Sequence, residues 1–249
     1  MPAAVQTTQY GDLKCRVTAH DNGKAPRLLV VLAHGFGAPG TDLVPLADEL
    51  RRASPRIAED VRFVFPEAPL DLGPMGMPGG RAWWPINMAQ LAMMHQTNDF
   101  KQLTEIEPDG LRSASLQLAD AVKAMLSDAG LTNDQLFLGG FSQGAMASTD
   151  VVLHTGLSPA MLILMSGTLL CRAAWTDLAD KHPGCSVIQT HGTEDMVLPI
   201  EPSVWLRDVL SANGFDVDYA RFAGPHTVPA IALEMIARAM IRRLDDEDS

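Results

Sequence analysis

Residues 28–33 read Leu-Leu-Val-Val-Leu-Ala, a continuous run of strand formers with no polar face. Such a run is expected of a strand buried on both sides of a parallel sheet. Further strand-like runs recur at 62–65, 136–138, 160–165 and 186–190, and residues 217–222 alternate as a last strand. Residues 12–19 alternate more weakly and predict an edge strand. Between the runs the apolar period changes to that of a helix. Leu43, Leu46, Ala47 and Leu50 share one face, with Thr41 or Asp42 as the expected cap. Leu111, Leu118, Val122, Met125 and Leu126 form a longer stripe that Gly130 ends. Residues 202–213, closed by Gly214, and residues 228–244 continue the alternation. Strand following helix through most of the chain predicts an α/β fold: a mainly parallel central sheet with helices on both faces.

No repeat or linker divides the sequence, so residues 1–249 are read as one domain. Only residues 70–107 break the rhythm. Gly73, Pro74, Gly76, Pro78, Gly79 and Gly80 make a loop, Trp83-Trp84-Pro85 interrupts it, and Met88, Leu91, Met93 and Met94 follow. A loop this long in a compact domain is either a functional lid or an irregular insertion packed by its own side chains, and both readings stand.

Composition narrows the setting. The chain is 47% hydrophobic and 20% charged, an ordinary globular balance. Its net charge of -11 argues against nucleic acid or an anionic membrane as partner. Part of that charge is a short acidic tail, Asp245-Asp246-Glu247-Asp248, expected to be solvated. The three cysteines, Cys15, Cys171 and Cys185, cannot all pair and have no zinc or redox spacing. Residues 1–10 show no basic region followed by an apolar stretch, so no signal peptide is expected, and no apolar run approaches a membrane span. A cytoplasmic protein without stable membrane insertion, monomeric or homodimeric, is expected.

The chemistry centres on Gly140-Phe141-Ser142-Gln143-Gly144. An apolar run leads into it and a segment rich in Ala and Met follows, the strand–turn–helix setting of a nucleophile elbow. Its bland reading is an ordinary strand-to-helix turn, so the rest of the chain must supply a base and an acid. Ligands of parallel sheets sit beyond the carboxyl ends of the strands. Asp195 follows the run at 186–190 and His226 follows the run at 217–222. A serine hydroxyl needs an imidazole to take its proton, and the imidazole needs a carboxylate to fix its tautomer. Ser142, His226 and Asp195 are therefore the predicted triad. Glu194 competes with Asp195, and Ser166 ends another run beside a glycine. His34 and His191 also lie at strand ends, where bracing a turn is their expected role. For the oxyanion, one backbone N–H is expected from Gln143 and one from Phe36 in the glycine-rich loop 34–37.

Taken together, His34-Gly35-Phe36-Gly37, Phe65-Pro66-Glu67-Ala68-Pro69, Arg81-Ala82-Trp83-Trp84, Gly140-Phe141-Ser142-Gln143-Gly144, His191-Gly192-Thr193-Glu194-Asp195 and Gly224-Pro225-His226 resemble the phospholipase/carboxylesterase family of α/β-hydrolases. The resemblance spans about residues 27–230. It implies an α/β-hydrolase fold and a serine hydrolase that needs no cofactor or metal. It carries Ser142, Asp195 and His226 over as triad, with Phe36 and Gln143 as oxyanion donors. The chain departs from the family's pattern at Pro85, where an acidic residue is usual, and at Pro225, where glycine is usual. The segment 87–107 is also longer than the usual connection. Trp83, Trp84 and Met88 are the expected substrate contacts, with lid packing as their bland role.

These readings predict a hydrolase of carboxylic esters with small to medium acyl chains, acting through an acyl-enzyme on Ser142. An acyl-protein thioesterase or a lysophospholipase would use the same residues, because the triad does not read the leaving group. A binding protein on the same fold is the alternative of a different class. Complete loss of ester hydrolysis in Ser142→Ala discriminates against it.

Overall fold

The computed structural model describes residues 4–18, 24–97 and 99–246, without the side chains of Met88, Gln90, Ala92 and His95. Its strands are β1 (Val5–Tyr10), β2 (Leu13–Thr18), β3 (Leu28–Ala33), β4 (Val61–Pro66), β5 (Leu70–Asp71), β6 (Arg81–Ala82), β7 (Leu136–Phe141), β8 (Met161–Met165), β9 (Ser186–Gly192) and β10 (Asp216–Phe222). Its α-helices are α1 (Pro45–Ala53), α2 (Pro55–Asp60), α3 (Met88–Thr97), α4 (Lys101–Glu105), α5 (Leu111–Ala129), α6 (Gln143–Thr155), α7 (Arg172–Lys181), α8 (Ile200–Ala212) and α9 (Ala230–Asp246). Eight strands form one sheet in the order β1-β2-β4-β3-β7-β8-β9-β10. The pairs β1–β2 and β2–β4 are antiparallel, and every other pair is parallel. Strands β5 and β6 make a separate two-stranded ribbon.

The period-2 rule accounts for the two layers. Leu29, Val31 and Ala33 of β3 join the core beneath α5, α6, α7 and α8, while Leu28, Val30 and Leu32 join the core beneath α1, α2 and α9. Leu162 and Leu164 of β8 likewise face one layer, and Ile163 and Met165 the other. This is why the predicted central strands have no polar face.

From β3 the chain moves to β4 on one side, and β7 later packs on the other side of β3. The strand order therefore reverses between β3 and β7, which opens a crevice at their carboxyl ends. The loop after β3 holds Phe36 and the turn after β7 holds Ser142, so they flank this crevice.

Three expectations need correction. Helix α1 starts with Pro45 at its first turn and has no side-chain cap, so neither Thr41 nor Asp42 fills that role. Pro45 has no N–H to satisfy, and the next two N–H groups, of Leu46 and Ala47, are taken by the carbonyls of Leu43 and Val44 in the preceding turn. The edge of the sheet is β1, and the strand predicted near 12–19 lies one place inward as β2. Residue 19 lies outside the described residues. Finally, the segment after Trp84, read as part of one long loop, contains two helices, α3 and α4. Among the described residues no helix is long and apolar enough to cross a membrane.

Candidate active site

The serine sits at the tip of a turn that tolerates no side chain on its flanks. A Cβ built on Gly140 would stand 2.2 Å from the carbonyl oxygen of Ala33, and one on Gly144 only 2.1 Å from that same oxygen. Ser142 itself has φ 54 and ψ -118, left-handed backbone that costs a residue with a side chain. The strain is held by β8, whose Met165 carbonyl accepts the Ser142 N–H at 2.8 Å, and by the first turn of α6, where Met146 N–H reaches Ser142 O at 3.2 Å. Ser142 is largely buried.

The loop after β3 presses against this turn. A Cβ on Gly35 would lie 3.3 Å from the Ser142 Cβ. Phe36 follows directly, which brings its backbone to the edge of the crevice. Among the described residues its N–H has no backbone acceptor. Gln143 opens α6, so its N–H has no helical acceptor either, as at any helix start.

Asp195 and His226 meet across the ends of β9 and β10. His226 Nδ1 stands 2.6 Å from Asp195 Oδ2. The other carboxylate oxygen accepts the N–H groups of Val197 at 2.9 Å and Leu198 at 2.8 Å. Burial by itself raises the Asp195 carboxyl. The hydrogen bonds from His226, Leu198 and Val197, with the charge of His226, hold it below the usual carboxylate range. The acid side chain is fully buried, whereas His226 keeps 15% of its side-chain surface. The imidazole packs on Phe141, the residue before the serine, with ring centroids 4.7 Å apart. Two backbone bonds knit the acid and histidine loops together, Thr193 N–H to Phe222 O at 2.9 Å and Glu194 N–H to Gly224 O at 3.0 Å. A Cβ on Gly192 would lie 2.3 Å from Gly224 O, so only glycine fits where these loops cross.

The competing residues have other partners. Glu194 is exposed. Ser166, also at positive φ, points its hydroxyl at Thr227 O, 3.5 Å away. His34 Nδ1 donates to Gly35 O at 2.8 Å and Nε2 accepts the Ala68 N–H at 3.1 Å. His191 Nε2 donates to Leu198 O at 2.7 Å. Burial holds both imidazoles below the usual histidine range. Both therefore brace turns as neutral rings.

A cavity of about 460 Å³ reaches α6 at Met146 and the acid loop at Leu198, and Ser142, Asp195 and His226 are not among its lining residues. Trp84, Leu91, Met94, Ile106, Met146 and Leu198 make much of its apolar wall. Met146 stands one helical turn from Ser142, and Leu198 hydrogen-bonds Asp195. Of the expected substrate contacts, Trp84 lines this cavity and Trp83 does not. Trp83 is buried, with its indole Nε1 donating to His34 O at 2.9 Å, so it ties the loop after β3 to the ribbon. The side chain of Met88 lies outside the described residues. One role escapes sequence reasoning. The Gln143 side chain accepts the Trp83 N–H at 2.8 Å and donates to Trp84 O at 2.9 Å, clamping the cavity wall to the elbow. The glutamine beside the serine was the available signal, but nothing local reveals its partners 60 residues away.

The model of the family described as Phospholipase/Carboxylesterase matches residues 15–240. "Acyl-protein thioesterase 1" of Gibberella zeae is 26% identical over 204 residues, covering 78% of this chain and 81% of that protein. The protein of that name in Kluyveromyces lactis is 29% identical over 181 residues, with 70% and 72% covered. Among solved structures, esterase PE8 superposes with a TM-score of 0.74 at 26% identity, over 92% of this chain and 98% of that one. A carboxylesterase from Mesorhizobium loti, at 18% identity and a TM-score of 0.71, covers 95% of this chain and 98% of its own and shares the fold. With its strained serine turn, its coupled acid and histidine loops and its mainly parallel sheet, this chain belongs to the phospholipase/carboxylesterase family of α/β-hydrolases.

Proposed function

We propose that this chain is a serine hydrolase of carboxylic esters with small to medium acyl groups, working through an acyl-enzyme on Ser142. The observation that carries the reading is the 2.6 Å contact between His226 Nδ1 and Asp195 Oδ2 beside a serine in strained backbone. With Nδ1–H held by the carboxylate, the imidazole keeps its Nε2 lone pair for the Ser142 proton. The freed oxygen attacks the ester carbonyl. The N–H groups of Phe36 and Gln143 take the oxyanion, and His226 returns the proton to the leaving alcohol. Water then repeats the sequence and releases the acid. The Asp195 carboxylate stays ionised throughout and stabilises the imidazolium that forms at each step.

The acyl group occupies the cavity of about 460 Å³, within the range that holds small ligands, with α3 and α4 as its lid. We read the chain as one domain carrying this lid at 70–107. The free thiols of Cys15, Cys171 and Cys185 support a cytoplasmic setting.

The names of the fungal relatives favour thioesters as a second substrate class. A fluorophosphonate probe tests the core reading. It labels the wild type at Ser142, and Ser142→Ala loses both labelling and p-nitrophenyl ester hydrolysis. Esterase activity that survives in this variant rejects the assignment. Matched esters and thioesters of rising chain length then separate the two substrate classes.

A further inference from the structure

The residue pair that aims the acid also shapes the cavity. His191, the penultimate residue of β9, is fully buried, and its Nε2–H donates to Leu198 O at 2.7 Å. The same nitrogen lies 3.4 Å from Asp195 Oδ2, the oxygen that His226 holds at 2.6 Å. Asp195 Oδ1 in turn accepts the Leu198 N–H at 2.8 Å. Leu198 is thus gripped at its N–H by the acid and at its carbonyl by His191, while its side chain lines the cavity. The titratable groups that face His191 are Asp195 and His226.

We propose that His191 is a positioning residue. It locks residues 195–198 into one piece, so the loop that aims Asp195 at His226 is also a wall of the acyl cavity. The proposal rests on reading Ser142, His226 and Asp195 as the triad. It has a physical consequence for specificity. An acyl chain that fills the cavity presses on Leu198, whose backbone is bonded to the acid, so filling the cavity improves alignment of the acid and raises kcat as well as lowering KM. A cavity that gripped the chain equally in the ground and transition states would express chain length through KM alone.

The test compares His191→Leu, which keeps apolar volume without a donor, with His191→Gln, whose amide keeps an N–H at a similar reach. In His191→Leu, kcat on a short ester falls about 10- to 100-fold with little change in KM, the loss typical of a small misplacement. The acid limb of kcat/KM moves to lower pH, because a misaligned carboxylate stabilises the imidazolium less. The rise of kcat with chain length flattens. His191→Gln recovers most of each property. A folded His191→Leu with wild-type kcat, pH limb and chain-length dependence overturns the proposal. If that variant does not fold, His191→Asn serves, since its shorter amide cannot reach Leu198 O, and the same outcomes apply. Fluorophosphonate labelling keeps the two readings apart: failure of Ser142→Ala to abolish labelling removes the triad, whereas retained Ser142 labelling with no His191 effect removes only this proposal.

Discussion

Gly144 and Ala33 meet so closely that a Cβ on the glycine would lie 2.1 Å from the alanine carbonyl oxygen. The first turn of α6 therefore rests directly on the end of β3, and this contact sets the distance between the serine turn and the loop carrying Phe36. Gly144→Ala forces backbone against backbone, where no side chain can give way. We expect a loss of about 3 kcal/mol in stability, at the upper end for overpacked sites. For a chain of this size that corresponds to a Tm lower by roughly 6–12 °C. A thermal melt within a degree or two of the wild type would refute the close approach.

Asp195→Asn tests the acid. The amide still has an oxygen for the Val197 and Leu198 N–H groups, but it cannot offer a carboxylate to His226 at the same time. The imidazole is then held in the wrong tautomer, and kcat at neutral pH falls on the order of 10⁴-fold. Stopped-flow ester hydrolysis with a far-ultraviolet spectrum unchanged from the wild type checks this outcome. Glu194→Gln, at an exposed position, leaves kcat within about twofold. A large loss there would point to Glu194 as the acid.

Acid sensitivity follows from the buried histidines. Burial lowers His34 and His191 below their ordinary value of 6.5. The unfolded chain then takes up more protons than the folded one as pH falls below about 6.5. Their contribution is complete above that pH and declines below it, by up to about 1.4 kcal/mol per pH unit for each group. Asp195 acts in a lower window. Its carboxyl lies below the ordinary 3.8, so its contribution is present above that value and is lost only as pH falls through the folded pKa. Urea midpoints measured from pH 7.5 to pH 4.5 should therefore fall first between 6.5 and 5.5. A midpoint flat down to pH 4.5 would contradict the burial of these rings.

Leu91 on α3 is half-buried and lines the cavity, so Leu91→Trp fills part of it and leaves Ser142, Asp195 and His226 unchanged. Each methylene excluded from the cavity costs about 0.8 kcal/mol, close to a fourfold loss in kcat/KM. The chain-length optimum in a p-nitrophenyl ester series should shift to shorter acyl groups, with acetate hydrolysis unchanged. The same optimum in both proteins would place the acyl group elsewhere.

How far the sequence led depends on how local each requirement is. Gly140, Ser142 and Gly144 carry the elbow within five residues, and the steric need for glycine there is a matter of neighbouring backbone. Strands β3, β7 and β8 were legible because burial on both faces leaves only apolar residues. Strand β1 was not, since Val5–Tyr10 is mostly exposed and exists as a strand through its pairing with β2. Helix α7 was missed for a similar reason: its buried residues are only Trp175 and Ala179, too few to show a helical period.

The order of serine, acid and histidine, and their places after β7, β9 and β10, were determined by the sequence alone, because strand ends are marked where apolar runs stop. Only the tertiary structure decided what those residues touch. The grip of His191 and Asp195 on Leu198, the Gln143 clamp on Trp83 and Trp84, and a cavity wall drawn from Trp84, Met146 and Leu198 join positions distant along the chain. Such contacts arise from how helices and loops pack over the sheet. Packing depends on the summed shape of all its neighbours, which no short stretch of sequence carries.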